Sequence, residues 1–428
     1  MSEGVKSKFS GYIMAVAAGI ILFMHLGALG TIGVFIRPIA EGNGFSISST
    51  MLIITFATAG GAGLGLIAPP IIRKLKPRGS LIIASFACGL HYWGFAFSHT
   101  IWMYWFWGFV ASVPLVFGSN AVIGSVVGSW FIERRASVLG FVFGAASLGG
   151  AAWQFASGLL ITNFGFRTAY MIMGSVLAGV ALLVNLVILR MPDQIGQKPL
   201  GWEEAEKQKV AAASANIASG KVSADGLTVS EARKTASYWM IFIGLFLSVL
   251  ATGGGRSNMN LFLTGKGLSV VQASSYTSLT SLLASAATVM GGFISQKMGN
   301  RVYMVYTHAA FITGCIVLLL NVNIAAPIMM ITVIMYALSA PISTAMSPTV
   351  NSQAFGNKDY ANILTSMAPA LLMGSAIYPI VVSTILGMGF AIETIYMVFA
   401  TSNLCGLILL TLGLTSSPYV KMKKAMAK

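Results

Sequence analysis

Apolar runs of about 20 residues recur along almost the whole chain, separated by short polar segments. A helix rises about 1.5 Å per residue, so each run is long enough to cross about 30 Å of hydrocarbon. The pattern predicts an all-α membrane protein with twelve transmembrane helices, named span 1 to span 12 in chain order. They cover residues 12–37, 49–72, 80–98, 101–129, 136–161, 168–190, 237–264, 271–295, 302–321, 325–349, 361–385 and 391–414.

The composition agrees with a protein that lies mostly in lipid. Of the 428 residues, 56% are hydrophobic and 9% are charged, whereas a soluble domain is about 25% charged. The net charge of +15 would by itself suit nucleic acid, but most lysines and arginines fall in the loops on one side of the predicted membrane. Because cytoplasmic loops are basic, we expect both termini in the cytoplasm. Nucleic acid is not an expected partner.

The chain repeats itself at an offset of 223 residues. Segment 44–46 (Gly-Phe-Ser) after span 1 corresponds to segment 267–269 (Gly-Leu-Ser) after span 7, and basic loops follow spans 2 and 8 at the same offset. One long polar segment lies between spans 6 and 7. We therefore predict a six-helix bundle at 1–190, a cytoplasmic linker at 191–235 and a second bundle at 236–428. Such repeats typically hold a substrate site between them near the midplane.

Several short segments carry a resemblance to a known family. Segment 291–301, GGFISQKMGNR, is similar to the GGxxxDKxGxR loop motif of the major facilitator superfamily. Segments 35–39 (FIRPI), 130–136 (WFIERRA) and 191–193 (MPD) resemble bacterial monocarboxylate transporters and oxalate/formate antiporters of that superfamily. The resemblance implies two pseudo-symmetric six-helix bundles in the bacterial plasma (inner) membrane, secondary transport, and a cavity lined by spans 1, 4, 7 and 10.

Arg256 in span 7 is the one lysine or arginine in the interior of a predicted span, since Arg37 and Arg190 stand at the very ends of spans 1 and 6. A charge at the bilayer centre costs about 2.5–3.5 kcal/mol even on insertion scales, so it normally faces a watery cavity or a partner. Three interpretations are open: Arg256 pairs with a substrate anion, it reaches the outer headgroups, or it forms a structural bond between helices. The outer end of the span, at Lys266, is ten residues away, roughly 15 Å, which is near the limit of such reach.

The neighbours of Arg256 favour the substrate interpretation. Asn260 is four residues further on and is expected on the same helix face, with Asn258 on its flank. The glycine run 253–255 precedes Arg256. It could unwind or bend a cavity-lining helix, or it could allow close packing of neighbouring helices.

Three further residues are candidates for contact with an anion. Asn120 in span 4 and Tyr336 in span 10 could donate hydrogen bonds, although a single polar residue in a span also serves packing. Arg37 in span 1 is a gate or capture candidate. The alternative is that Arg37 is a rim residue paired with Glu41, one turn away.

Proton coupling would have to use histidine. No Asp or Glu lies at membrane depth in the predicted spans, so the buried carboxylate that many proton-coupled carriers use is missing. The candidates are His25, His91 and His308, in spans 1, 3 and 9. His25 is preferred, because the resemblance places span 1 along the cavity, and the alternative for each is a packing role.

These observations predict a secondary active transporter that moves a small organic anion, in the first place a monocarboxylate. It would work by alternating access, as anion exchange or proton-coupled symport. Arg256 would pair with the carboxylate while Asn258, Asn260, Asn120 and Tyr336 orient it. A larger amphipathic organic acid is the alternative cargo, since 23 methionines and many aromatics could line a roomy cavity.

Other function classes fit less well. A non-transporting membrane receptor remains an alternative. An intramembrane enzyme would need clustered nucleophiles, bases or metal ligands, and the spans contain no HExxH, GxSxG or paired carboxylates. The three cysteines show no CxxC spacing. We therefore expect no enzyme activity, no cofactor and no metal. The expected partners are the anion, protons and the lipid bilayer, and the expected state is a monomer.

Overall fold

The computed structural model describes residues 3–132, 135–202, 226–321, 326–356 and 358–426, and these residues confirm the all-α membrane fold. Within them, isolated bridges are the only extended pairings. Among the described residues, nine helices are long and apolar enough to cross a membrane. Two of the nine stretches, Ile47–Phe97 and Val138–Ile188, are 51 residues long, about twice what a crossing needs, so each contains two spans. The second stretch consists of the helix Arg135–Leu183 and the π-helical turn that follows it.

Each of these two long helices is divided at a single residue. Lys76 (φ 58, ψ 162) divides the helix Ile47–Phe97, and Gly165 (φ 77, ψ 160) divides the helix Arg135–Leu183. Both residues lie in predicted loops, between spans 2 and 3 and between spans 5 and 6. With the helix Val270–Met298 as span 8, the described helices are consistent with twelve spans.

Contacts divide the chain into two compact units. The N-terminal unit is Met1–Asn43 with Phe56–Val222, and the C-terminal unit is Gly44–Thr55 with Ser223–Lys428. Most of the predicted linker lies outside the described residues, so its boundaries stay a prediction.

In the N-terminal unit, spans 1, 4 and 5 pack around one apolar core. Ile21, Ile123 and Val142 are fully buried in it. Spans 1 and 5 approach closely where Gly27 meets Gly149. The closeness is seen from a Cβ at Gly149, which would lie only 2.9 Å from the Cα of Phe23. The helices of this unit are Glu3–Leu29 and Ile32–Asn43 (span 1), Ile47–Phe97 (spans 2 and 3), Ile101–Val110, Ser112–Phe117 and Asn120–Trp130 (span 4), and Arg135–Leu183 (spans 5 and 6), followed by a π-helical turn at Val184–Ile188. The first residues of the helix Ile47–Phe97, up to Thr55, are counted with the C-terminal unit.

In the C-terminal unit, span 7 packs against spans 11 and 12, and span 9 packs against spans 10 and 12. A short helix precedes span 7, where Thr228 and Glu231 form a reciprocal capping box. The helices of this unit are Val229–Arg233, Ala236–Ser257 and Met259–Gly265 (span 7), Val270–Met298 (span 8), Asn300–Leu320 (span 9), Ala326–Leu338, Pro341–Thr344 and Met346–Phe355 (span 10), Tyr360–Gly387 (span 11), Ile392–Ser416 (span 12) and Pro418–Met426.

In the described parts of the chain, the interrupted spans are 1, 4, 7 and 10. The interruptions lie at residues 30–31, at residues 111 and 118–119, at Asn258, and at residues 339–340 and 345. A broken helix leaves backbone groups unpaired, which membrane proteins tolerate only inside protein or beside a water-filled cavity. These are the spans that the sequence resemblance names as cavity-lining.

Candidate functional site

Arg256 lies near the end of the helix Ala236–Ser257, two residues before the interruption at Asn258. Its side chain is partly exposed. In the described part of the chain it forms no ion pair and no hydrogen bond. The interpretation of Arg256 as a structural bond between helices therefore has no partner group to support it.

The described carboxylates of the C-terminal unit are engaged elsewhere. Glu393 forms an ion pair with Lys266. Glu231 accepts from the backbone and hydroxyl of Thr228 (2.7 and 2.9 Å), and these bonds lower the pKa of its carboxyl group. Asp359 accepts from the backbone nitrogen of Val229 (2.9 Å), which lowers its pKa in the same way. None of the three is available to neutralise Arg256.

Tyrosine hydroxyls from two other spans bond to the chain next to Arg256. Tyr396 of span 12 donates to the carbonyl oxygen of Gly255 (3.2 Å), and Tyr378 of span 11 hydrogen-bonds to the side chain of Ser257. The sequence did not predict a role for these tyrosines, because spans 11 and 12 are not among the predicted cavity-lining spans 1, 4, 7 and 10. A buried tyrosine usually has a hydrogen-bond partner, but the sequence does not tell which partner.

The glycine run before Arg256 is helical rather than unwound. Gly253, Gly254 and Gly255 all lie within the helix Ala236–Ser257. A Cβ at Gly254 would overlap the ring of Phe399, and one at Gly255 would lie 2.7 Å from Phe311. Of the two predicted roles, close packing is therefore the one observed. The helix is interrupted only at Asn258 (φ −94, ψ 1).

Asn258 and Asn260 are buried, unlike the partly exposed Arg256. The amide nitrogen of Asn258 donates to the carbonyl oxygen of Gly254 (2.8 Å), and that of Asn260 donates to the hydroxyl of Ser274 (3.2 Å). Arg256 is therefore accessible to solvent, whereas Asn258 and Asn260 are not. The three residues do not share one exposed helix face, because the helix is interrupted at Asn258. The ligand roles of both asparagines stay predictions.

Tyr336 and Asn120 differ in their surroundings. Tyr336 is fully buried, with its ring stacked on Phe311 (centroids 5.5 Å apart) and its hydroxyl 3.5 Å from the sulfur of Cys315. Asn120, in the N-terminal unit, begins the last helix of span 4 and is exposed. Of these two predicted ligands, Asn120 is therefore accessible to a solute and Tyr336 is not.

His25 and Arg37, both in the N-terminal unit, have contrasting contacts. His25 is fully buried, and neither ring nitrogen has a hydrogen-bond partner in the described chain. A Cβ at Gly118, at an interruption of span 4, would lie 2.7 Å from its Nδ1. Arg37 donates to Glu41 through its Nε (2.7 Å), which is the rim pair that was the alternative to a gating role. The roles in gating and in proton coupling stay predictions.

The comparisons with known proteins concern the whole chain. Residues 18–368 match the family description "Major Facilitator Superfamily". No curated protein sequence matches the chain. A bacterial homologue of the human lysosomal transporter Spinster is similar in structure (TM-score 0.63, 15% identity, covering 96% of each chain).

Two other transporter structures are similar at comparable levels. The nucleoside transporter NupG has a TM-score of 0.68 at 14% identity, covering 94% of this chain and 99% of its own. The peptide transporter POT in complex with alafosfalin has a TM-score of 0.66 at 12% identity, covering 95% and 94%. At these identities the likeness shows the fold, while the family match extends over most of the chain. The chain therefore belongs to the major facilitator superfamily and is a multi-pass membrane transporter.

Proposed function

We propose that the protein is a secondary active transporter of a small organic anion, in the first place a monocarboxylate, and that Arg256 pairs with the carboxylate. The observation that carries the proposal is a guanidinium within a membrane span that has no partner among the described residues. The described carboxylates of the same unit are all bonded elsewhere. A carboxylate from the cargo would supply the missing counter-charge through charge-assisted, bidentate hydrogen bonds.

The same argument bears on the transport cycle. An uncompensated cation in a closing, low-dielectric cavity is costly, and an anion bound to Arg256 removes that cost. Reorientation by alternating access should therefore be favoured when the carrier is loaded. This favours anion exchange or proton-coupled symport over a leak.

The other predicted ligands receive roles graded by their accessibility. We place the exposed amide of Asn120 as a second group that meets the cargo. Asn258, Asn260 and Tyr336 are buried around the Arg256 segment, so we assign them to shaping and orienting the site.

The test is counterflow of labelled carboxylates in proteoliposomes, with a panel of short and bulky acids. Arg256→Gln should abolish exchange or weaken the apparent affinity at least about thirtyfold, because removal of one partner of a buried charge pair costs about 2–5 kcal/mol. Arg256→Lys keeps the charge but loses the bidentate geometry, so it should be intermediate.

The matched control is Lys266→Gln. It removes a cation from the outer end of the same span, and this cation already has a partner in Glu393. It should leave anion affinity near the wild-type value. Unchanged anion uptake and affinity in Arg256→Gln would contradict the assignment of Arg256 to the carboxylate. Uptake of bulky acids alone would indicate the larger amphipathic cargo.

We also propose a monomer in the bacterial inner membrane with both termini in the cytoplasm. The basic loops on one side support the orientation of the termini. Reporter fusions after residue 428 check the orientation. A C-terminal reporter active only in the periplasm would contradict it.

A further inference from the structure

A polar row runs along one face of span 7 from Arg256 toward the beginning of the helix Ala236–Ser257. Thr252 and Ser248 precede Arg256 at successive spacings of four residues, and so lie on one face. The hydroxyl of Thr252 lies 3.1 Å from that of Ser343, and the hydroxyl of Ser248 lies 3.0 Å from Nε2 of His308. The row therefore ends at a histidine of span 9.

His308 is fully buried, and both of its ring nitrogens have partners. Nδ1 lies 2.8 Å from the carbonyl oxygen of Met304. Because a carbonyl only accepts, Nδ1 carries a proton. Nε2 faces the hydroxyl of Ser248, which also lies 2.7 Å from the carbonyl oxygen of Gly244.

This arrangement satisfies both protonation states of His308. In the neutral imidazole, the Ser248 hydroxyl donates to Nε2. When a proton from water binds Nε2, the new N–H donates to the Ser248 oxygen, and the hydroxyl hydrogen turns to the carbonyl of Gly244. Rotation of the Ser248 hydroxyl is sufficient for the change in protonation of His308, and no heavy atom has to move. His25 lacks this provision, because its two ring nitrogens have no partner in the described chain.

Span 12 adds two observations next to Ser248. A Cβ at Gly406 would overlap the Ser248 hydroxyl, so glycine leaves the room in which that hydroxyl can turn. Asn403, three residues earlier on the same face, is buried with both amide atoms unpartnered in the described chain. Because a buried amide without partners is costly, Asn403 is an unsatisfied polar position on this face of span 12.

No charged group in the described chain bonds to His308. The titratable side chains on span 9 and on the helices packed against it are Arg301, Tyr303, Tyr306, Cys315, Tyr238, Arg256, Tyr276, Lys297, Tyr336, Glu393, Tyr396 and Cys405. None of them forms a hydrogen bond or ion pair with His308. No ion pair among the described residues therefore holds His308 in one protonation state.

We propose that His308, held by Ser248, is the proton-binding site that couples proton movement to anion movement, making the transporter a symporter. The inference rests on the proposed anion site at Arg256. Ser248 and Arg256 are eight residues apart, roughly 12 Å along the helix. A carboxylate that neutralises Arg256 removes a repulsion which, at an effective dielectric constant of about 20, favours proton binding about tenfold. Reciprocally, protonation strengthens anion binding by the same factor.

The experiment uses the full-length protein in proteoliposomes and measures two quantities for a labelled short monocarboxylate: counterflow at equal pH, and accumulation driven by an imposed pH gradient. His308→Gln should keep counterflow, which shows a folded anion site, and should lose gradient-driven accumulation. The control is His99→Gln, at an exposed histidine outside the proposed sites, and it should keep both activities.

A second variant guards against misfolding of His308→Gln. Ser248→Ala keeps the histidine but removes the group that accepts from the protonated ring, so the pH profile of accumulation should move about one unit to the acid side. Gradient-driven accumulation at the wild-type level in His308→Gln overturns the inference, as does a Ser248→Ala profile at the wild-type position. Exchange in the wild type without any response to the pH gradient overturns it while leaving the anion site intact. Absence of both counterflow and anion binding in the wild type overturns the proposed function as well.

Discussion

Alanine at two adjacent glycines of span 7 should have opposite effects on stability. In the helix, alanine is favoured over glycine by about 0.5–1 kcal/mol. At Gly253 a Cβ would be 3.6 Å from Tyr378, an ordinary contact. Gly253→Ala should therefore gain the helix term and stabilise the protein.

At Gly254 the same methyl group has no room. It would overlap the ring of Phe399, with Cε2 at 2.6 Å, and Phe399 is itself fully buried. Overpacking of this kind costs about 1–3 kcal/mol. Because both variants share the helix term, the free energies of unfolding of the two variants should differ by that full overpacking cost.

The assay is reversible unfolding of both variants in mixed micelles, with counterflow measured beside it. Equal free energies of unfolding for the two variants would refute the packing argument. A large loss of transport rate in Gly253→Ala, with stability retained, would instead restore the hinge interpretation of the glycine run.

Three other changes have defined outcomes. Gly149→Ala should cost at least about 2 kcal/mol in the same unfolding assay, because backbone atoms of Phe23 cannot rotate away, whereas Gly144→Ala should be neutral or stabilising because nothing lies within 4 Å. Glu393→Gln should cost no more than about 1 kcal/mol, because its ion pair is partly exposed. The cap at Glu231 has a carboxyl pKa lowered from 4.5, so its stabilisation is complete above that value and is lost as the pH falls through the lower folded pKa. The protection factors of amides 229–234 against hydrogen exchange, corrected for the intrinsic pH dependence of exchange, should fall over that range, and Glu231→Gln should remove the dependence.

The lengths and positions of the helices were largely predictable from the sequence. Span 12 was predicted at 391–414 and is Ile392–Ser416, and span 7 was predicted at 237–264 and ends at Gly265. These elements follow from the length of apolar chain needed to cross a bilayer. The loops at Lys76 and Gly165 were also predicted, because polar or glycine-containing segments separate the apolar runs.

The rotation of each helix was not predictable in the same way. Lipid-facing and core-facing positions of a membrane span are both apolar, so no hydrophobic stripe marks the packed face. That is why the contacts of Gly254 with Phe399 and of Ser248 with His308 needed the structure. The interruption at Asn258 also carries no proline signal in the sequence.

The candidate site was predictable in part. Arg256 stood out because a base within an apolar span is rare. The sequence could not show that it lacks a partner in the described chain, nor that the amides of Asn258 and Asn260 are bonded internally. Such facts depend on which groups the fold brings within hydrogen-bond distance.

The most direct test of the central claim compares binding of a short monocarboxylate with binding of its uncharged amide, in the wild type and in Arg256→Gln. Comparing both ligands in both proteins isolates the interaction between the guanidinium and the carboxylate. We predict that the wild type prefers the carboxylate by at least about thirtyfold and that Arg256→Gln loses this preference. An undiminished preference for the carboxylate in Arg256→Gln would contradict the account.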